Sequence, residues 1–346
     1  MKHSNISIFV PHAGCPFQCA FCNQHTITSQ QSHPHAENVT RTCQQAMQEI
    51  SDKSQTEIAF FGGSFTAIPE QYMLELLQSA QEFIGEGKFH GIRISTRPDC
   101  ITPEILETLK EYHVTAIELG AQSMSDNVLK ANQRGHSAKD VFESSKLIRN
   151  YGFELGLQVM KGLYQSTIDD EITTRNAVCE IHPDTVRIYP VVILKGTKLA
   201  GLYQSGEYVP MPFQDMVGLV ASDMRIYMDE NINIIKVGLH ASEFVEADKI
   251  GGYYHPAFRE LCETYNYRTF IESALLDKYI QSDGAKSSDV YEKLSGKNFV
   301  IEVNDKCISK ATGQKKSNTE YFRKKGIGLK IVGNPDIEIY KCCIKE

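Results

Sequence analysis

Six short apolar runs recur along the first 193 residues, and stretches with helical spacing separate them. The runs are ISIFVP (Ile6–Pro11), EIAFFGG (Glu57–Gly63), GIRIST (Gly91–Thr96), VTAIELG (Val114–Gly120), FELGLQVM (Phe153–Met160) and TVRIYPVVI (Thr185–Ile193). Each is rich in β-branched or aromatic residues, which suits a strand covered on both faces. Two of the intervening helices have readable ends. Thr102 is placed to cap TPEILETLKEY, with Pro103 in its first turn, and SAKDVFESSKLIRNYG starts at Ser137 and stops on Gly152. Strands that alternate with helices pair in parallel, because each helix carries the chain back to the end where the last strand began. The expected fold is α/β, a partial (βα)6 TIM-like barrel followed by a small α+β domain. A doubly wound open sheet obeys the same rules.

In both architectures functional groups collect at the carboxyl ends of the strands, and the unusual stretches of this chain fall there. GCPFQCAFCNQ, with Cys15, Cys19 and Cys22, follows the first run. GGSFT (Gly62, Gly63, Ser64, Phe65, Thr66) ends the second, TRPD with Arg97 follows the third, and ELGAQS with Glu118 and Gln122 straddles the end of the fourth.

Ten cysteines in a chain of 346 residues raise the question of disulfides. Seven of them (Cys43, Cys100, Cys179, Cys262, Cys307, Cys342 and Cys343) are scattered and read as small buried side chains or incidental thiols. No apolar run reaches the ~18 residues of a membrane helix, and the amino terminus lacks the charged and apolar regions of a signal peptide. A cytoplasmic protein without a membrane partner is expected. The clustered three cysteines offer soft thiolates, which suit zinc or an iron–sulfur cluster. Structural zinc asks for four protein ligands, and no second CxxC pair is present. A cubane held by three thiolates leaves one iron open to another ligand.

CxxxCxxC on a loop after the first strand resembles the radical S-adenosylmethionine (SAM) enzymes. The resemblance implies a [4Fe–4S] cluster on Cys15, Cys19 and Cys22, with the open iron chelated by the amino and carboxylate groups of SAM. It implies an electron from a flavodoxin- or ferredoxin-like donor and a 5′-deoxyadenosyl radical as the reactive species. By family position the cofactor's surroundings are Phe21 in the cysteine loop, Gly62, Gly63, Ser64 and Phe65 at its methionine end, and Glu118 and Gln122 at the ribose or carboxylate. Arg97 is placed to neutralise a carboxylate, and Met160 and Tyr189 to flank adenine. Within the superfamily, ISTRPDCITPEILETLKEYHVTAIELGAQSMSDNVLKANQRGHS and HPDTVRIYPVVILKGTKLAGLYQSGEY resemble the radical domain of the Elongator catalytic subunit. That family modifies the wobble uridine of transfer RNA. This chain departs from it in the shorter spacing of the first two cysteines, and nothing after Tyr208 resembles the acetyltransferase domain.

The chain's charge of −7 is unevenly spread. From Gly296 onward, eleven Lys and Arg face six Asp and Glu, so the tail carries +5 and the remainder −12. The tail, VIEVNDKCISKATGQKKSNTEYFRKKGIGLKIVG, resembles a KH-type RNA-binding module, in which a GxxG turn clamps the nucleic-acid backbone. Here the turn is Gly313-Gln314-Lys315-Lys316, with lysine in place of the second glycine. The expected organisation is a barrel over 1–240, a helical extension over 241–295 and a basic KH-like module over 296–346. RNA modification, transfer RNA foremost, is the leading functional expectation. A radical enzyme for a small molecule or peptide is the second, and a non-catalytic cluster- or RNA-binding protein the third.

Overall fold

The computed structural model describes residues 4–10, 18–23, 26–27, 33–283 and 287–345, with the side chains of 279–283 and 287–290 left out. Cys15 lies outside the described residues.

All six apolar runs become strands of one parallel sheet: β1 (Ser4–Phe9), β2 (Thr56–Phe61), β3 (Gly91–Thr96), β4 (Val114–Gln122), β5 (Glu154–Lys161) and β6 (Thr185–Pro190). The last run breaks after Pro190, and Val192–Leu194 forms a separate short strand, β7. The sheet has seven strands rather than six. The helix Phe213–Asp229 returns the chain to β8 (Asn233–Val237), which adds in parallel beside β6. Strand order is β1-β2-β3-β4-β5-β6-β8, with β1 and β8 at opposite edges. The sheet is thus an open partial barrel. Thr102 and Ser137 cap their helices as expected, through hydrogen bonds from Ile105 N (3.3 Å) and Asp140 N (3.3 Å), and Gly152 ends the second helix at φ +85°. Each such cap is worth about 1 kcal/mol.

One face of β2 to β6 carries charge where the alternation of side chains would otherwise put apolar packing. Arg93 is fully buried and donates to Glu57 (2.6 Å), Glu154 (2.7 Å) and Glu118 (3.4 Å). Arg187 donates through Nε (2.6 Å) and Nη2 (2.8 Å) to the two oxygens of Glu118, and Gln158 joins the same carboxylate to Ser95. Gly156 makes room for this layer, since a Cβ there would sit 2.7 Å from Glu118 Cγ. An antiparallel pair, β7 with β9 (Lys249–Gly252), lies outside the main sheet.

The chain divides into two compact units, residues 1–211 with 227–256 and residues 212–226 with 257–346. In the second unit, β10 (Asn298–Val303) lies between a parallel β11 (Gly328–Gly333) and an antiparallel β12 (Cys342–Ile344). Helices Ile308–Thr312 and Ser317–Lys324 connect β10 to β11, so the tail runs β-α-α-β-β. This module does not stand apart from the residues before it. Tyr267, Ile271 and Leu275 of the helix Phe258–Asp283 share one core with Ile301, Val303 and Phe322. Asn266 Nδ2 donates to Ala221 O (2.9 Å), and Phe213 packs edge-on to Phe258. Of the residues expected as a helical extension, 241–256 therefore fall in the first unit, while Tyr267, Ile271 and Leu275 belong to the tail's own core.

Candidate functional site

A cavity of about 530 Å³ opens at the carboxyl ends of the sheet strands in the first unit. Cys19, Phe21 and Cys22 line it from the loop after β1, Gly62 and Gly63 from the end of β2, and Arg97 from just past β3. Gln122, Met160 and Tyr189 line it from β4, β5 and β6. Nine residues singled out in sequence thus share one wall system. Three do not line it. Ser64 is buried and ties two strand ends together, with Oγ 3.0 Å from Thr96 Oγ1 and accepting from Arg97 N (3.2 Å). Phe65 stacks on Phe60 beneath it, and Glu118 lies in the charged layer. Lys315 and Lys316 belong to the second unit.

Local conformation explains the wall. Gly62 and Gly63 have φ of +84° and +61°, and a Cβ at 62 would lie 3.3 Å from Val10 O, so the turn exposes main chain where a side chain would obstruct. Gln122, at φ +64°, pairs with Val159 of β5 just after a register irregularity between β4 and β5. Gly120 is confined as well, because a Cβ there would meet Gln122 Nε2 at 2.9 Å and Arg134 Nη2 at 3.2 Å.

Among the described residues no Asp or Glu lines the cavity, whereas Arg97, Arg134, Arg187 and Lys236 do. Arg97 is held by Asp99 through two bonds, of 2.9 and 2.8 Å. Glu118 is fully buried; burial raises its pKa, but the Arg187 and Arg93 charges reverse this and hold it below the usual carboxylate range. Arg187 in turn lies over the Phe61 ring at 4.9 Å. Behind the wall, burial and the Arg134 charge push the His136 pKa down to about 4, so its ring is neutral at pH 7.

The residues fit a thiolate-bound cluster with a small zwitterionic ligand. Cys19 and Cys22 present soft sulfur to the cavity, and the glycine main chain leaves room opposite. Arg134, a lining residue that is 7% exposed, has a buried Nε with no hydrogen-bond partner among the described residues. Arg134, Gln158, Arg187, Lys236 and His240 all line the cavity without having been singled out in sequence. Arg187 did leave a signal, as a lone charge inside an apolar strand.

The model of the radical SAM superfamily matches residues 9–175, and that of the radical SAM C-terminal domain matches 183–268. Together they span well over half of the chain. The chain belongs to the radical SAM superfamily. Members of this enzyme family use a [4Fe–4S] cluster and SAM. Among curated proteins, the chain is 25% identical over 266 residues to the tRNA uridine(34) acetyltransferase of Dehalococcoides mccartyi, covering 67% of itself and 58% of that protein. It is 29% identical over 185 residues to human Elongator complex protein 3, covering 48% of itself and 34% of the relative. The chain therefore spans between a third and three fifths of these two relatives. Its fold resembles that of an N-terminally truncated Elp3 from Methanocaldococcus infernus, with TM-score 0.59 and 17% identity over 82% of this chain and 63% of that one. No helix among the described residues is long and apolar enough to cross a membrane.

Proposed function

We propose that this radical SAM enzyme is cytoplasmic, generates a 5′-deoxyadenosyl radical, and uses it to modify an RNA, transfer RNA foremost. The observation that carries the reading is the gathering of Cys19, Cys22, the Gly62–Gly63 pair and Gln122 around one cavity. Cys15, Cys19 and Cys22 would hold the cluster, and Gly62 and Gly63 would let the main chain approach the methionine end of SAM. Bound there, cluster and cofactor supply reductive cleavage of the sulfonium, with the electron drawn from a flavodoxin- or ferredoxin-like donor. Phe21, Met160 and Tyr189 line the cavity and would form the wall against which adenine packs and water is excluded. Gln122 offers an amide to the ribose or carboxylate, and Arg97 adds positive charge. Glu118 acts at one remove, by fixing Arg187 at the wall. Ser64 and Phe65 hold the glycine turn from behind.

Three facts support RNA as the substrate. One relative is named for uridine 34 of tRNA, the tail carries a surplus of five positive charges, and a β-α-α-β-β module presents exposed Lys315 and Lys316 on the turn between two helices. Anaerobic reconstitution with iron and sulfide tests the first half. It should give about four irons per chain and reductant-dependent 5′-deoxyadenosine. Replacing Cys15, Cys19 or Cys22 by Ala should abolish both, while Cys43→Ala should abolish neither. Stoichiometric zinc without iron would overturn the reading. Product formation without any affinity for tRNA would transfer the substrate to the small-molecule or peptide class.

A further inference from the structure

The turn after the helix Asp126–Ala131 touches the cysteine loop twice. Asn132 O accepts from Ala20 N (3.1 Å), and Arg134 Nη1 donates to Cys19 Sγ (3.2 Å). The guanidinium is not free to leave that sulfur. Its Nη2 is anchored on Gly120 O at 2.6 Å, and the Arg134 amide is bound to Leu129 O at 3.0 Å. Gln133 (φ +57°) and Gly135 (φ +76°) on either side give the turn the tight reversal that aims Arg134 inward. Leu199 N binds Ala20 O from the other side (2.7 Å), so the loop segment carrying Cys19 is fixed in position.

We infer that Arg134 is a tuning residue for the iron–sulfur cluster, acting through the sulfur of Cys19 to raise its reduction potential. This rests on the reading of Cys19 as a cluster ligand. The physical argument is one of differential stabilisation. A guanidinium N–H directed at thiolate sulfur withdraws electron density and interacts more strongly with the reduced cluster, which carries one more negative charge. Burial keeps water from competing for the sulfur and raises the strength of the interaction. Outer-shell groups of this kind set the properties of metal sites through their ligands. Here the charge comes from the turn after the helix Asp126–Ala131, more than a hundred residues along the chain from the ligand it touches.

The test compares the parent with Arg134→Gln and Arg134→Met, each anaerobically reconstituted and titrated against redox mediators without SAM, with the reduced cluster followed by electron paramagnetic resonance. Iron content of the parent checks the ligand assignment, and the potentials of the variants check the inference, so the two failures are separable. The expected result is a reduction equilibrium at least tenfold less favourable in an iron-loaded variant, a drop of about 59 mV for a one-electron couple. A variant with full iron and the parent's potential overturns the inference and leaves Arg134 a structural residue only. Should neither variant load iron, the parent decides. Its Fe–S(Cys) stretching bands shift in D2O if N–H groups bind the thiolates, and unchanged bands overturn the inference.

Discussion

At the scale of single residues, Glu118 shows how the sheet tolerates a carboxylate with no access to water. Both of its oxygens are taken by Arg187, with Arg93 and Gln158 adding further contacts. Because its pKa in the folded chain lies below the unfolded value of about 4.3, the pair stabilises the fold at every pH above that value and loses its effect as pH falls through the lower one. Removing one partner of a buried pair costs about 3–5 kcal/mol, since the other charge stays behind. Arg187→Met should therefore lower the stability of the first unit by that order at pH 7. It should also start acid unfolding at a higher pH than in the parent. Urea titrations at pH 7 and pH 4.5, read by hydrogen exchange in β4, measure both effects. A parent-like midpoint would show that Arg187 serves the cavity and not the fold. Part of this layer was legible in the chain, where Arg93 in GIRIST and Arg187 in TVRIYP interrupt apolar runs. Their partners were not, because they lie 25 to 69 positions away and meet only through strand register. Arg134 left no signal at all: in sequence it is an ordinary basic residue past a short helix.

Elements were legible where their ends carry chemistry of their own. Thr102, Ser137 and Gly152 mark helix boundaries that the structure reproduces, since caps are satisfied within a few residues. β8 carries the apolar run INIIKVGL, but its membership of the main sheet is not legible there, because pairing with β6 is decided by the intervening helix. On the proposed reading, the turn Gly313–Lys316 is the element on which RNA binding would depend most. Lys315 and Lys316 are exposed and both adopt left-handed backbone, at φ +51° and +62°, a conformation that costs a non-glycine residue on the order of 1 kcal/mol or more. Charge is kept there where glycine would sit more easily. Changing both lysines to Glu should weaken tRNA binding and flatten its dependence on salt, because phosphate contacts release counterions. SAM cleavage without RNA should not change. Affinities at several salt concentrations, for parent and double variant, give the answer; equal slopes would remove the turn from the interface.

At the scale of the whole molecule, the chain enters the second unit twice. Residues 212–226 belong to that unit, yet the helix containing them is the crossover that leads from β6 to β8. This was hidden in the sequence, where the helix is simply the next one in line. A chain ended after Pro256 would keep Met216, Val220 and Met224, all buried here, while losing the Phe258–Asp283 helix that accompanies them in the unit. Such a chain should bind a hydrophobic dye and elute as aggregates on gel filtration; a monodisperse, dye-negative product would show that the first unit covers that surface alone. Charge reversal is for this reason a better probe of the tail than deletion. The cavity has a similar dependence on distant residues, since its walls run from Ser7 to His240. During translation the thiols of Cys19 and Cys22 leave the ribosome roughly 10–40 s before Lys236 and His240, at about 5–20 residues per second. Throughout that interval they are bare sulfur without a chamber, open to oxygen and stray metal. On the proposed reading, cluster loading should follow translation, with the thiols kept reduced until the last wall arrives.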